Sequence, residues 1–596
     1  MITKPRIILL WILIPAYSLL PEVPSPDVRK PNIPYFMESL SFQTVQMYIF
    51  NPDVSGMVMD TYSDLQWNPA YILRISQKSI YFDLNTQERV SQPIIQVPYD
   101  RMTYYENTLY DNSNDVLPEW YTYTSVRAVH TVPHYNFAGL VPINSKLSAA
   151  FINRVLFDYG PFRSSTGWQN KTGFDEGTVN NIGYELKRLE VNHNQQTVFG
   201  IQSKLILGYR LSNRLDLGFS IGHYWFKRKG NLYDSRWGTY PHSSFAGLND
   251  ETLRVNGHHI EGGIGLLYHL GERTTFGIYG TLRKGRGKEK IAVLDTSNVW
   301  SERDTDTNYY NIIKYTLGRH NFYTSNGKSP GFCITFEKSF SSSWVFRSFL
   351  YGTWSTIDFS SSVASEDTSF GDHTYDYWLN NTPYFRRREY HAHRESGLNG
   401  TGKERTNYWK WFISVIYTPH QQWSLFGGIQ IQKYSFKKES REGSTFTSHN
   451  RTEYSRYAPE TYEGFYTHEK VYSFKRNYKD WIAFLPVGIK AKIFKKLSLI
   501  AGVDVALVLI DQNSEGKLLY PVIITKKWEN ESSVVNDEEI NRYEEYSSHP
   551  AKQFERFVGH RFGLVYEHAN GVKLFVRFYN TILNLNQWAF GFEMNW

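Results

Sequence analysis

The chain has 596 residues, 41% of them hydrophobic, and a mean hydropathy of -0.48. That is too polar for a bundle of membrane helices, each of which needs about 20 consecutive apolar residues. Its single cysteine, Cys333, excludes an internal disulfide framework and a cysteine-based metal cluster, and a net charge of +7 from 65 basic and 58 acidic interspersed side chains gives no indication of nucleic-acid binding.

The N-terminus carries Lys4 and Arg6 ahead of the apolar run IILLWILI, which Pro15 ends; Ala16 and Ser18 supply small residues for cleavage. Residues 1–18 therefore read as an export signal, and the Pro-rich PEVPSPDVRKPNIP as a flexible leader after processing. Residues 19–145 contain few clean alternations, SIYFDL (79–84) and YTYTSVRAVHTV (121–132) being the best, among many Pro and Asn breaks. They are expected to form a plug or a small periplasmic segment, the plug being favoured because a large barrel has space its own side chains need not fill.

From about residue 146 to 596 one unit recurs: an alternating strand, a tight polar turn, a second alternating strand and a long polar excursion. In residues 199–226, Ile201, Leu205, Leu207, Tyr209 and Leu211 share one face, and Leu215, Leu217, Phe219, Ile221 and Trp225 do the same after the turn. Further turns fall at Leu270 to Thr274, Ser339 to Ser343, Thr418 to Gln422, Phe494 to Lys496 and His568 to Gly571. With LSAAFINRVLF (147–157) before these hairpins and a last strand after them, the expectation is an all-β, transmembrane antiparallel barrel of about fourteen strands. Turns of about three to six residues, alternating with excursions of about 28 to 48 except the short last one at Thr581 to Asn586, match short periplasmic turns and long extracellular loops. The aromatic share of 17% suits the girdles of such a barrel.

The phase opposite the apolar one places Lys204, Asp216, Glu261, Arg283, Glu337, Arg347, Lys490, Lys492, Asp504, Arg561, Arg577 and Glu593 toward the interior. Lys or Arg on the lipid face would cost about 2 to 4 kcal/mol near the midplane, so a polar lumen of both signs is expected. His258, His259, Glu261 and His269 lie on one hairpin, but strand rise separates His259 from His269 by about 30 Å, so polar lining describes them better than a shared metal. In the outer segments, YFRRREYHAHRE (384–395) concentrates Arg386, Arg387 and Arg388, suited to phosphate groups of lipopolysaccharide or simply to a solvated loop. Tyr454, Tyr457, Tyr462 and Tyr466 mark a second surface, for glycan or protein contact or for packing between loops.

The last eleven residues, NQWAFGFEMNW, alternate strictly and end on Trp596. This run resembles the terminal strand signature of bacterial outer-membrane β-barrel proteins, which implies recognition by the barrel-assembly machinery and pairing with the first strand. The stretch DLQWNPAYILRISQKSIYFDL (64–84) is similar to the N-terminal pattern of the FadL/TodX-type transporters of long-chain fatty acids and hydrocarbons, through Asp64, Asn68, Pro69 and Ala70. That resemblance implies a fourteen-stranded barrel with an N-terminal hatch. Tyr71, Ile72 and Leu73 depart from it, standing where the family has small residues.

These readings converge on an outer-membrane barrel that acts as a passive channel or transporter for a small solute, hydrophobic solutes included. The alternative is a surface protein that binds glycan or protein through its large outer segments; a third is a lipid-modifying enzyme. No nucleophile elbow or metal motif stands out, so a non-enzyme without cofactor or metal is expected. Lipid and lipopolysaccharide are the expected surroundings.

Overall fold

The structure, a computed structural model, describes residues 58–90, 129–160, 171–179, 184–240, 243–303, 309–379, 382–420, 422–455, 460–518, 522–529, 534–541, 545–547, 551–568, 571–579 and 588–596. The segments read in sequence as an export signal and a leader, and Tyr457, lie outside them. A short helix, α1 (Thr61–Asp64), and a 3-10 helix (Pro69–Arg74) come first. The rest is one 20-stranded antiparallel sheet. Its strands are β1 (Ser79–Val90), β2 (Val129–Pro142), β3 (Leu147–Gly160), β4 (Lys171–Val179), β5 (Tyr184–Ser212), β6 (Leu215–Tyr240), β7 (Ser243–His269), β8 (Thr274–Arg303), β9 (Tyr309–Ser339) and β10 (Trp344–Leu379). They continue as β11 (Thr382–His420), β12 (Trp423–Ser455), β13 (Glu460–Phe494), β14 (Leu497–Leu518), β15 (Val522–Glu529), β16 (Val534–Asn541), β17 (Glu545–Ser547), β18 (Ala551–Glu567), β19 (Val572–Tyr579) and β20 (Trp588–Asn595).

Sixteen of these strands close a cylinder. The ladder runs from β1 through β2, β3 and β5 to β14, then through β18, β19 and β20 back to β1, where Ser79 pairs with Asn595 and Asn85 with Ala589. The Trp596 amide donates to the Lys78 carbonyl at 3.0 Å, so the C-terminal run seals the seam. The expected count of about fourteen is therefore corrected to sixteen, and the wall begins at Ser79 rather than at residue 146. The two added strands are β1, which contains SIYFDL, and β2, which overlaps YTYTSVRAVHTV only at its end. Their polar residues look like turn formers in sequence, but face the interior: Asn136 donates to Asp83 at 2.8 Å and Tyr81 donates to the same carboxylate at 2.7 Å. Both Asp83 oxygens thus accept a hydrogen bond, and a buried acid so partnered costs a strand little.

Alternation separates the two faces as period-2 geometry requires. One outward row, in register around the wall, reads Tyr209, Leu217, Leu266, Ile278, Ile334, Leu350, Trp411 and Ile431. Their neighbours on the other phase, among them Leu267, Tyr279, Cys333, Phe349, Phe412 and Ile482, are buried inside. At one end the strands turn tightly. Asn144 accepts from the amides of Lys146 and Leu147, and Gly271 and Gly571 take the left-handed backbone (φ 100° and 75°) that their turns demand.

At the other end the long polar excursions are strands rather than loops. The β10–β11 ladder runs from Trp344↔Tyr417 to Leu379↔Thr382, and β11 alone has 39 residues. At about 3.4 Å per residue it is about 130 Å long, whereas a bilayer takes about 9 to 11 residues. The opposite side of the cylinder is low: β19 and β20 have 8 residues each and β1 has 12. Above the closed ring the wall continues as an open sheet from β4 through β5 to β13 and on to β15 and β16. Among the described residues β4 and β16 are its two edges.

Candidate functional site

Residues 58–78 enter the cylinder and dock on its inner surface; they are called the hatch below. Asp60 caps α1 by accepting from the Ser63 amide at 2.8 Å, and Asn68 caps the 3-10 helix by accepting from the Ala70 amide at 3.0 Å, with Pro69 in the first position. The other end of the Asn68 side chain donates to the wall carbonyls of Leu266 (2.9 Å) and Ile278 (3.3 Å). One amide thus shapes the hatch and fastens it. Leu65, Ala70 and Ile72 are fully buried behind it.

The wall makes room for this docking with glycine. Gly208, Gly218 and Gly265 stand side by side on β5, β6 and β7, and Gly277 lies nearby on β8. A Cβ on Gly218 would run into the backbone of Pro69 and Ala70, and one on Gly265 into the side chains of Asn68 and Pro69. One on Gly208 would run into Ile72 and Leu73. Bare backbone at these positions is what lets the 3-10 helix lie flat on the sheet.

Ionic contacts hold the hatch on the far side. Arg347, wholly buried, donates to Asp64 of the hatch at 2.8 Å, to Glu337 of β9 at 2.8 Å and to the Val58 carbonyl at 2.7 Å. Arg74, at the end of the 3-10 helix, pairs with the second Glu337 oxygen at 2.6 Å. Two acids and two bases, one of each from hatch and wall, therefore alternate in one cluster. Burial carries the Asp64 carboxyl up to about 7, Arg347 opposing that rise and Glu337 adding to it. A third tie joins Arg210 of β5 to the Leu73 carbonyl at 3.1 Å; Arg210 is itself held by Asp216, which also faces His269 at 2.9 Å.

Beside the hatch the interior carries a second network. Glu261 takes Lys204 at 2.8 Å on one oxygen and Arg283 at 2.6 Å on the other. Arg283 continues to the Tyr351 hydroxyl at 2.9 Å, and Tyr279 joins Lys204 to Ser220. The hatch residue Trp67 stacks on Phe349 (5.7 Å between ring centroids), meets the edge of Tyr351 at 6.0 Å and carries Lys410 over its ring. The lumen is thus polar, mixed in sign and locally filled.

Of the residues marked in sequence, Asp64, Asn68, Pro69 and Ala70 are all buried in the hatch, and Glu337, Arg347, Lys204, Glu261, Arg283 and Asp216 form the networks above. Asp504 and Arg577 are buried elsewhere in the interior, Glu593 pairs with Lys573 at 3.3 Å, and Lys490 and Lys492 are half-buried near the turn that follows β13. Arg561 occupies the position opposite Gly502. Arg386, Arg387 and Arg388 stand on β11, opposite Tyr375, Thr374 and His373, while Tyr454 lies on β12 and Tyr462 and Tyr466 on β13. These are ribbon positions, not loop positions. Sequence reading missed Arg74, Arg210, Tyr279, Tyr351, Trp67 and the glycine seat. An Arg at the end of the NPA helix was a usable signal; four glycines scattered over 70 residues were not.

No protein-family model and no curated protein matches the chain. Solved structures similar to it are outer-membrane β-barrels. A FadL homologue from Pseudomonas aeruginosa shows 9% identity and a TM-score of 0.26 over 74% of this chain and 96% of its own. The CymD monoaromatic hydrocarbon channel shows 10% and 0.24 over 65% and 91%, and the siderophore receptor PiuA from Acinetobacter baumannii 8% and 0.25 over 88% and 82%. At these values the likeness carries no argument, and the fold rests on the register of the chain's own strands.

Proposed function

We propose that the chain is a bacterial outer-membrane barrel that passes a small solute through an interior stoppered by the hatch. The observation that carries this reading is that residues 58–76 sit within a closed wall yet belong to none of its ladders, being fastened by side chains such as Arg347 and Asn68. A segment held that way can leave without breaking the cylinder. The outward face supports a bilayer setting: on β7 the exposed apolar residues run from Ile260 to Tyr268, about the span a tilted membrane strand needs, and Trp225, Trp354 and Trp481 rim the band. Lipid and lipopolysaccharide would meet this face, and the assembly machinery would read the strand ending in Trp596. Conductance in planar bilayers tests the reading. The intact chain should conduct poorly; Arg347→Ala, which leaves Asp64 and Glu337 buried without their shared cation at a cost of about 3 to 5 kcal/mol, should conduct more, and deletion of residues 58–76 more still. A barrel equally sealed in all three forms refutes it.

A second reading has its own observation: strands of 33 to 39 residues on β10 to β13 extend far beyond any bilayer. Such ribbons present a large rigid surface, as recognition of a glycan or a protein requires. Trimming residues 362–396 and 441–470 should then abolish capture of that ligand by whole cells without altering conductance.

A further inference from the structure

The sequence YFRRREYHAHRE lies on β11, where alternate residues share a face. Ala392 is buried, whereas His391, His393 and Glu395 are exposed, so these three point outward from the tall side of the molecule. The register then adds donors from both neighbours. On β10, Glu366 is directly opposite Glu395; on β12, His449 is directly opposite His393.

The geometry in this row is that of a ligand set. One ring nitrogen of His393 lies 3.3 Å from Glu395 and the other 3.9 Å from Glu366, and the donor atoms of the three residues lie within 4.8 Å of one another. Two carboxylates facing each other across a ladder repel, which is a cost that a cation between them removes. Among the described residues, the group between them is the His393 imidazole.

His449 is prepared in a second way. Its Nε2 is 2.6 Å from Glu463, and its ring stacks on Phe465 with centroids 4.4 Å apart. Histidines that bind a metal through one nitrogen typically donate the other N–H to a carboxylate, which fixes the ring and its tautomer. Here the carboxylate and the stacking surface are both in place, leaving Nδ1 for an ion. Paired positions hold their Cβ atoms about 4.5 to 5.5 Å apart, so rotation of the exposed His393, Glu366 and Glu395 side chains, with no backbone shift, can bring their donors toward the fixed Nδ1 of His449.

We propose that the outer face of the β10–β12 ribbon binds a divalent transition-metal ion through His393, His449, Glu366 and Glu395. Two imidazoles and two carboxylates make a mixed nitrogen and oxygen set that a tetrahedral Zn2+ accepts, whereas Mg2+ and Ca2+ take oxygen ligands. Sequence spacing could not show this set, because its members come from three strands spread over 84 residues and only the register unites them.

Titration calorimetry of the untagged, detergent-purified chain with Zn2+, and separately with Mg2+, tests the site. The wild type should take up about one equivalent of Zn2+ and release little heat with Mg2+. His393→Ala, His449→Ala and the double variant Glu366→Gln/Glu395→Gln should each weaken Zn2+ by about tenfold or more, and the exposed positions leave the barrel intact, as gel mobility before and after heating will show. With Cu2+ as a spectroscopic probe, the wild type should give couplings from two imidazole nitrogens and His449→Ala from one. Absence of Zn2+ binding, or equal binding by all variants, overturns the proposal and leaves His393 as a plain ionic bridge between two carboxylates.

Discussion

Gly218 sits where the hatch backbone crosses the sheet, and a side chain there would collide with Pro69 and Ala70. Gly218→Val should therefore lift the hatch and raise conductance, while Gly280→Ala, at a position with open space around it, should change nothing. Asp64 gives a pH dependence of defined sign. Its carboxyl, carried by burial up to about 7 from an ordinary 3.8, holds its proton more tightly in the docked hatch than in a released one. That contribution to docking is fully present below pH 3.8 and is lost as pH rises through about 7. Conductance should rise between pH 5 and pH 8, and Asp64→Asn should remove this part of the rise; an unchanged profile would show that Asp64 does not titrate there. The residues Asp64 to Ala70 were legible because they are contiguous. Arg347 was marked in sequence as an interior charge, but its pairing with Asp64, and the roles of Gly218 and Gly265, became visible only once the fold set them against the hatch.

At the scale of the element, the alternation of β5 to β9 is clear because one face is apolar, and the tight turns between hairpins were readable for the same reason. The upper halves of β10 to β13 lose that signal. Beyond the apolar belt neither face needs to be apolar, so Ser, Thr, Tyr and charged residues fill both, yet the ladder continues in unbroken register. Polar composition was therefore mistaken for loop. β1 and β2 were hidden differently, by the inward-facing Asp83 and Asn136 and by Pro133 and Pro142. If the upper ribbon is a continuation and not a support, deletion of residues 362–396 should leave the heat-dependent shift in gel mobility intact. Loss of the shift would mean that the ribbon props up the wall.

For the whole molecule, closure is what the final strand's resemblance to outer-membrane terminal strands implied, and the seam from Ser79 to Asn595 supplies it. The outward belt has a direct test. Ile264→Arg, in the middle of the apolar band on β7, should cost about 2 to 4 kcal/mol in lipid vesicles, whereas the same change at Thr368, high on β10, should cost nothing measurable. Equal effects would mean that the belt does not face hydrocarbon. The strand count was underestimated because the two strands nearest the N-terminus carry the least regular sequence, although they are as firmly paired as the rest.

The seam also orders events in time. Hairpins such as β7–β8 join residues a few positions apart and can zip as soon as they emerge, whereas the β1–β20 ladder joins the first and last strands of the wall. Contacts of such separation form last, because the whole intervening chain must be in place before they repay its confinement. Until then the strand from Trp588 to Asn595 is an open, greasy edge with one side paired to β19. The nascent wall is thus a sheet waiting on its final partner, and the length of that wait should grow when β1 is shortened, in a refolding assay that follows seam closure.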